Sequence, residues 1–267
     1  MDRYLKVFKF TFEVFGMAMK NKVLLRPLMI NIIAGMLVSV GLAFGYSQVE
    51  NPTMAYVILA TGLVLLYFID YFNNGLTASL IYEQVTTGDA QFGTAMARTM
   101  KSLPGILTFA AISGLLDLLA SYASERKDIV GKLVLRVIYW VWTTAVYVVM
   151  PTMVIENTGF FGAFKKSKDY MKNDPTQVGT GIIGVGIASW ALGAVCVAGA
   201  YGALRALLPV NVILAAFCFY FITNIYWGLS GFIKTTYFTC FYLWAKECER
   251  QGSAESELAP APLAACL

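Results

Sequence analysis

The side chains with the greatest chemical potential in this sequence are charged and amide groups set inside long apolar runs. Asp70, Asn73 and Asn74 stand at i, i+3 and i+4, so a helix carries all three on one face. Arg26 and Asn31, at the start of the preceding run, offer them partners. Such groups are costly in hydrocarbon, and they mark either a solute path or a hydrogen-bonded contact between helices. The contact is the favoured reading, because one acid with a plausible partner is not a relay. Glu83, Glu156 and Lys234 close the cytoplasmic ends of the second, fourth and sixth apolar runs. They form an electrostatic clasp between equivalent helices or, as the sharper alternative, an ion vestibule. Asp117 and Arg136 flank the turn near residue 126. In an antiparallel hairpin they sit at nearly the same depth, roughly 14 Å from the turn, and are expected to pair. The alternative for that pair is an ion-selecting site.

Catalytic constellations are missing from the sequence. There is no histidine, which removes His-based triads, His-ligated zinc or haem, and a neutral-pH imidazole switch. The five cysteines, Cys196, Cys218, Cys240, Cys248 and Cys266, contain no C-x-x-C pair and indicate no disulfide or metal framework. Cys266 is next to last, which does not fit prenylation. The expectation is a protein that is not an enzyme and takes no cofactor. The net charge of +4 calls for no nucleic-acid partner. In a membrane protein it reports topology.

The elements that must position these groups are membrane spans. Of 267 residues, 58% are hydrophobic and 13% charged, against about 25% charged in soluble domains. Several runs exceed the roughly 18 residues that cross a bilayer. One unit recurs three times: a basic helix, a proline, then an apolar run. Phe15 leads to Pro27, Phe92 to Pro104 and Phe161 to Pro175, at spacings of 12, 12 and 14 residues. In the first unit Leu5, Phe8, Phe12, Phe15 and Met19 recur at helical spacing opposite Lys6, Lys9, Glu13 and Lys20. That is the pattern of a helix lying in the headgroup plane. The prolines break each such helix from its span.

The predicted fold is therefore an all-α integral membrane protein. Six transmembrane helices form three hairpins, each preceded by a cytoplasmic interfacial amphipathic helix. The units cover about 3–83, 92–156 and 160–248 of a single domain, 1–250, and 251–267 reads as a disordered tail. The spans are 23–46, 54–77, 104–123, 129–155, 176–208 and 210–246. Fourteen of the 20 Lys and Arg fall on the side of the three basic helices and the C-terminal end, which places both termini in the cytoplasm. Partners implied are the anionic lipids of the cytoplasmic leaflet. A protein partner or second copy would dock through the fifth span, whose Gly179, Gly181, Gly184, Gly186, Gly193 and Gly199 permit close helix approach.

Four stretches carry a resemblance: Tyr71-Phe72-Asn73-Asn74-Gly75-Leu76, Pro151-Thr152-Met153-Val154-Ile155-Glu156, Ala163-Phe164-Lys165-Lys166-Ser167 and Gly179-Thr180-Gly181-Ile182-Ile183-Gly184. Together they resemble a widespread prokaryotic family of six-span membrane proteins known only as a domain of unknown function. The resemblance covers roughly residues 5–245. It implies the fold and a prokaryotic plasma membrane, places Asn73 and Glu156 on recurrent polar positions, and implies no activity. The first helix and Leu25-Arg26-Pro27-Leu28-Met29-Ile30-Asn31 also resemble the start of the CysZ-type sulfate permeases. Function stays open between two classes. A membrane scaffold or accessory subunit of a larger assembly is the first expectation. A channel or transporter for an ion or small solute is the alternative.

Overall fold

A computed structural model describes residues 2–125, 129–173, 175–252 and 258–264. The side chains of residues 2–8, 121–130, 132, 136, 139, 140, 143, 144 and 170–183 lie outside that description. The described residues are helical and contain no strand. In chain order the helices are α1 (Asp2–Lys20), α2 (Arg26–Ser47), α3 (Pro52–Thr87), α4 (Phe92–Lys101), α5 (Leu103–Glu125), α6 (Ile129–Glu156), α7 (Phe160–Asn173), α8 (Pro175–Leu207), α9 (Val212–Gln251) and α10 (Ala261–Ala264). A 3-10 turn, Lys22–Leu25, joins α1 to α2.

Among the described residues, five helices are long and apolar enough to cross a membrane, namely α2, α3, α5, α8 and α9. The protein is a multi-pass membrane protein. In α6 the described apolar stretch is the shorter Ala145–Glu156.

The breaks fall at the prolines. Pro27 sits in the first turn of α2, Pro104 is the second residue of α5, and Pro175 opens α8. Proline has no N–H to give and is tolerated in a first turn, where that N–H would have no partner; Arg26 and Leu103, the residues before Pro27 and Pro104, already belong to α2 and α5. Other boundaries follow side-chain chemistry. Asn51 and Asn211 cap α3 and α9 by accepting backbone N–H groups of Thr53 and Leu214 at 2.9 and 3.0 Å. Gly88, at φ 77°, closes α3 in the left-handed conformation that suits glycine.

Burial is concentrated at one end of the two longest helices. In α3 the run 73–81 is buried throughout, whereas residues 52–57 are mostly exposed. In α9 the run 235–242 is buried, while Val212, Ile213 and Leu214 are exposed. Helices of 36 and 40 residues reach about 54 and 60 Å, well beyond a hydrocarbon core of roughly 30 Å. Their buried halves form a shared core with α1, in which Phe10, Leu76, Leu80, Ile233 and Phe238 meet.

Two sequence expectations need adjustment. Of the predicted apolar stripe of α1, Phe15 packs against the core beside Phe232, but the fully buried face lies elsewhere. Phe10, Val14 and Ala18 are fully buried, whereas Phe12 and Met19 are 75% and 67% exposed. Phe10 and Phe12 are two residues apart and so about 200° apart around the helix. The helix has two apolar faces, one against the protein body and one turned outward, and the spacing argument found the outward one with Phe15 at its edge. Leu5 and Phe8 belong to the predicted stripe, but their side chains lie outside the described residues. The tail expected to be structureless also contributes: α10 packs on α1 and α9 and buries Leu263 completely. Full burial of one leucine stabilises by about 1.5–3 kcal/mol. Residues 253–257 and 265–267 lie outside the described residues.

Of the glycines expected to permit close approach, Gly193 does so against α9 of the same chain, where a Cβ would lie 2.9 Å from the Tyr226 ring. A Cβ at Gly186 or Gly199 meets nothing within 4 Å, and other close approaches fall at glycines outside that set. A Cβ at Gly114 on α5 would lie 2.8 Å from Val64 Cγ2 and 3.6 Å from the Val64 backbone on α3. Val64 is β-branched and cannot swing clear. Gly114→Val should therefore destabilise the protein by about 1–3 kcal/mol, read as a lower midpoint of thermal unfolding in detergent. Gly186→Val, where a Cβ meets nothing within 4 Å, should shift stability by about 0.5 kcal/mol at most. Equal losses at the two positions would contradict this packing.

Candidate functional site: a polar cavity between α2, α3, α5 and α9

Asp70 is the hub of the site. Asn31 on α2 donates its Nδ2 to Asp70 Oδ1 at 3.1 Å, and Asn74, one turn along α3, donates to Oδ2 at 3.2 Å. Thr235 on α9 donates its hydroxyl to Asn74 Oδ1 at 3.1 Å. A Cβ at Gly231 would lie 3.0 Å from Asn74 Oδ1 and 3.5 Å from Asp70 Oδ1, so α9 comes this close because it carries no side chain there. Lys234, one turn further along α9, interacts electrostatically with Asp70 and holds its ammonium 5.4 Å from the Tyr147 ring centroid.

Of the five predicted members of this cluster, three meet: Asn31, Asp70 and Asn74. Arg26 does not join them. It stacks over the Phe92 ring at 5.4 Å, because five residues separate it from Asn31, a turn of about 140° around α2. Asn73 is buried but turns back on its own helix, donating to the Ile69 carbonyl at 2.8 Å. Its Oδ1 is buried with no hydrogen-bond partner among the described residues.

The predicted trio Glu83, Glu156 and Lys234 is likewise divided. Glu83 pairs with Arg98 on α4 at 3.2 Å and accepts the Gln91 N–H at 2.9 Å. Glu156 accepts from Lys166 on α7, from Tyr242 at 2.7 Å and from Lys246 at 3.4 Å. Lys234 goes to Asp70. The reason is the length of α9. It continues past Lys234 for two more turns to Tyr242 and three to Lys246, and those residues reach the level of Glu156.

Asp117 accepts a hydrogen bond from Tyr67 on α3. The side chain of Arg136, its expected partner, lies outside the described residues. Tyr67 is what the sequence reading missed. It stands three residues before Asp70, on the same face of α3, and that spacing was a usable signal.

These groups line one half-open cavity of about 300 Å³. Asn31, Gly35 and Ser39 line it from α2, Tyr67 and Asp70 from α3, Asp117 from α5, and Tyr220, Thr223 and Asn224 from α9. From Asn31 to Ser39 it follows α2 for about 12 Å. Two carboxylates, two amides and several hydroxyls thus face one volume with apolar walls. This lining can hydrogen-bond a small solute and favours positive charge. Among the described residues no group of three or more acids or cysteines is placed to hold a metal ion.

A family profile matches residues 20–252, and its description is a family of unknown function, DUF6159. The chain belongs to this family. The match spans α2 to α9, and so takes in every residue of the cavity. No curated protein and no solved structure matches the chain, so the N-terminal likeness to CysZ-type permeases finds no support.

Glu156, one residue beyond the predicted fourth span, gives a test at the other end of the family region. Burial pushes its carboxyl up. The hydrogen bonds from Lys166 and Tyr242, with the nearby charges of Lys246 and Lys166, outweigh burial and hold it below its ordinary value of 4.5. A carboxyl lowered by folding contributes stability above its unfolded value and loses that contribution as pH falls through the folded one. Glu156→Gln should therefore cost about 1 kcal/mol at pH 7, the scale of a partly screened ion pair with one charged hydrogen bond. That difference from wild type should persist down to about pH 5 and close below about pH 4.5, as followed by urea unfolding in detergent across pH. A difference independent of pH would show that Glu156 acts without its charge.

Proposed function

We propose that this protein is a channel or transporter for a small polar or positively charged solute, which it takes up in the cavity between Asp70 and Asp117. The observation that carries the reading is the cavity itself. Helix pairing alone requires polar groups that satisfy one another. It does not require a shared volume of about 300 Å³ faced by two carboxylates from different helices. Intramembrane acids on a water-sized path are the usual mark of ion and solute handling. The reading includes no catalysis and no cofactor.

In this proposal six spans cross the cytoplasmic membrane of a prokaryote as three hairpins, with α6 as the fourth span. Both termini lie in the cytoplasm. The helices α1, α4 and α7 lie on the inner leaflet. Support comes from the outward apolar faces of these helices, where Phe12, Met19, Met100, Phe161 and Phe164 are exposed. Support also comes from the distribution of Lys and Arg. The second reading, a scaffold or accessory subunit, rests on α8. No atoms lie within 4 Å of a Cβ placed at Gly199 or Gly202, three residues apart on one face, which leaves that face available to a neighbouring helix.

Two experiments separate these readings. Purified protein in liposomes should conduct or exchange small cations or protonated amines. Asp70→Asn and Asp117→Asn should each lower the flux about tenfold or more, a change of about 1.4 kcal/mol in the rate-limiting barrier, while folding is retained. Absence of flux together with a stoichiometric protein partner in native purification would sink the transport reading and favour the scaffold. For topology, single cysteines placed in a cysteine-free background at positions 50 and 126 should label from outside. Positions 90 and 168 should label only after permeabilisation. Outside labelling at 168 would overturn the orientation.

A further inference from the structure

The second large concavity lies outside the polar site, at the junction of α1, α2 and α4, and has a volume of about 370 Å³. Its walls are apolar, and two cationic residues stand at its rim. Lys22 and Arg26 stand at one end, four residues apart, and both are exposed. Met29, Ile30 and Ile33 continue along α2 from there. Residues 22, 26, 29, 30 and 33 follow i, i+4, i+7, i+8 and i+11, so they form one stripe that runs from cationic to apolar. From Arg26 to Ile33 the stripe extends about 10 Å along the helix axis.

The charged end is fixed in place. Asn21 Oδ1 accepts the Val23 N–H at 3.2 Å and so caps the 3-10 turn, and Asn21 Nδ2 donates to Gln84 on α3 at 2.8 Å. The turn that carries Lys22 is thereby tied to a second helix. Arg26 is held 5.4 Å from the Phe92 ring centroid, and Phe92 forms the wall contributed by α4. No carboxylate lines the groove, and no ion pair involves Lys22 or Arg26 among the described residues. An arginine held against a ring and an exposed lysine on an anchored turn, with no acid beside them and an apolar slot along α2 below them, match a molecule with an anionic head and a hydrocarbon tail.

We infer that this groove is a binding site for one anionic membrane phospholipid, with the phosphodiester at Lys22 and Arg26 and an acyl chain along Met29, Ile30 and Ile33. A guanidinium forks onto phosphate oxygens and an ammonium adds a point charge. The site depends only on the membrane reading and not on transport through the polar cavity.

The test uses the full chain in nanodiscs of phosphatidylcholine containing 10% phosphatidylglycerol. After extraction, the phosphatidylglycerol retained on the protein is counted by native mass spectrometry. The expected result is one tightly retained phosphatidylglycerol per chain. Retention should fall at least fivefold in the Lys22→Gln/Arg26→Gln double variant. Ile33→Trp, which fills the slot without touching the charges, should also reduce it. Glycerol phosphate, a headgroup without chains, should not displace the lipid at millimolar concentration. Equal retention of phosphatidylcholine and phosphatidylglycerol would overturn the proposal, as would full retention in the double variant. Displacement by glycerol phosphate would replace the lipid with a soluble phosphate ligand. Unchanged unfolding midpoints in the two variants, expected because the altered side chains are mostly exposed, separate loss of the site from loss of the fold.

Discussion

A carboxylate set in an apolar helix must find partners, and most of this architecture can be read as the answer to that demand at Asp70. Taking a charge out of water is costly, and what offsets the cost is hydrogen bonding and nearby opposite charge. Asp70 obtains one donor from α2, one from its own helix and a cation from α9. Each partner imposes geometry in turn. Asn74 needs its own oxygen satisfied, which brings in Thr235. Thr235 is within reach only because α9 offers a glycine at 231. Three helices from the first and third repeat units are locked in rotation and depth by this chain of requirements. A second knot, in which Ser113 meets Tyr71 and Trp142 at 2.7 Å each, fixes α3 against α5 and α6. The middle unit is thereby joined to the same long helix.

Sequence reasoning reached the parts of this that depend on local covalent constraint or on spacing along one helix. The prolines marked all three breaks, because a residue without an N–H fits the first turn of a helix, although Pro151 sits inside α6 without ending it. Asn31, Asp70 and Asn74 were legible as a set because one helix face and one neighbouring span suffice to assemble them. Lys234 was assigned to the wrong group. Its partner depends on how far α9 slides past α6 and α3, and no periodicity encodes that offset. The two apolar faces of α1 failed for a related reason. A stripe of five large residues announces itself, whereas on the packed face only Phe10 is large and Val14 and Ala18 complete it with small side chains. Leu263 was hidden differently: one leucine in an Ala/Pro-rich segment has no period at all, and only the gap between α1 and α9 gives it a place.

Polar groups used for pairing and polar groups that face a solute are often treated as alternatives, and the cavity argues against that division. Asp70 donates no stability as an isolated charge; it is tolerated because Asn31, Asn74 and Lys234 surround it. Those same partners hold its carboxylate at the wall of an open volume rather than let it seek water at the membrane surface. Under the proposed function a solute would meet groups already oriented, so little ordering would have to be paid at the moment of binding. The pairing that satisfies the helices is thus also the preorganisation that a binding site needs. Asn73 supplies the contrast. It is as buried as Asn74, yet it folds back on α3 and leaves Oδ1 without a partner. A buried amide oxygen left in that state is a cost the fold carries.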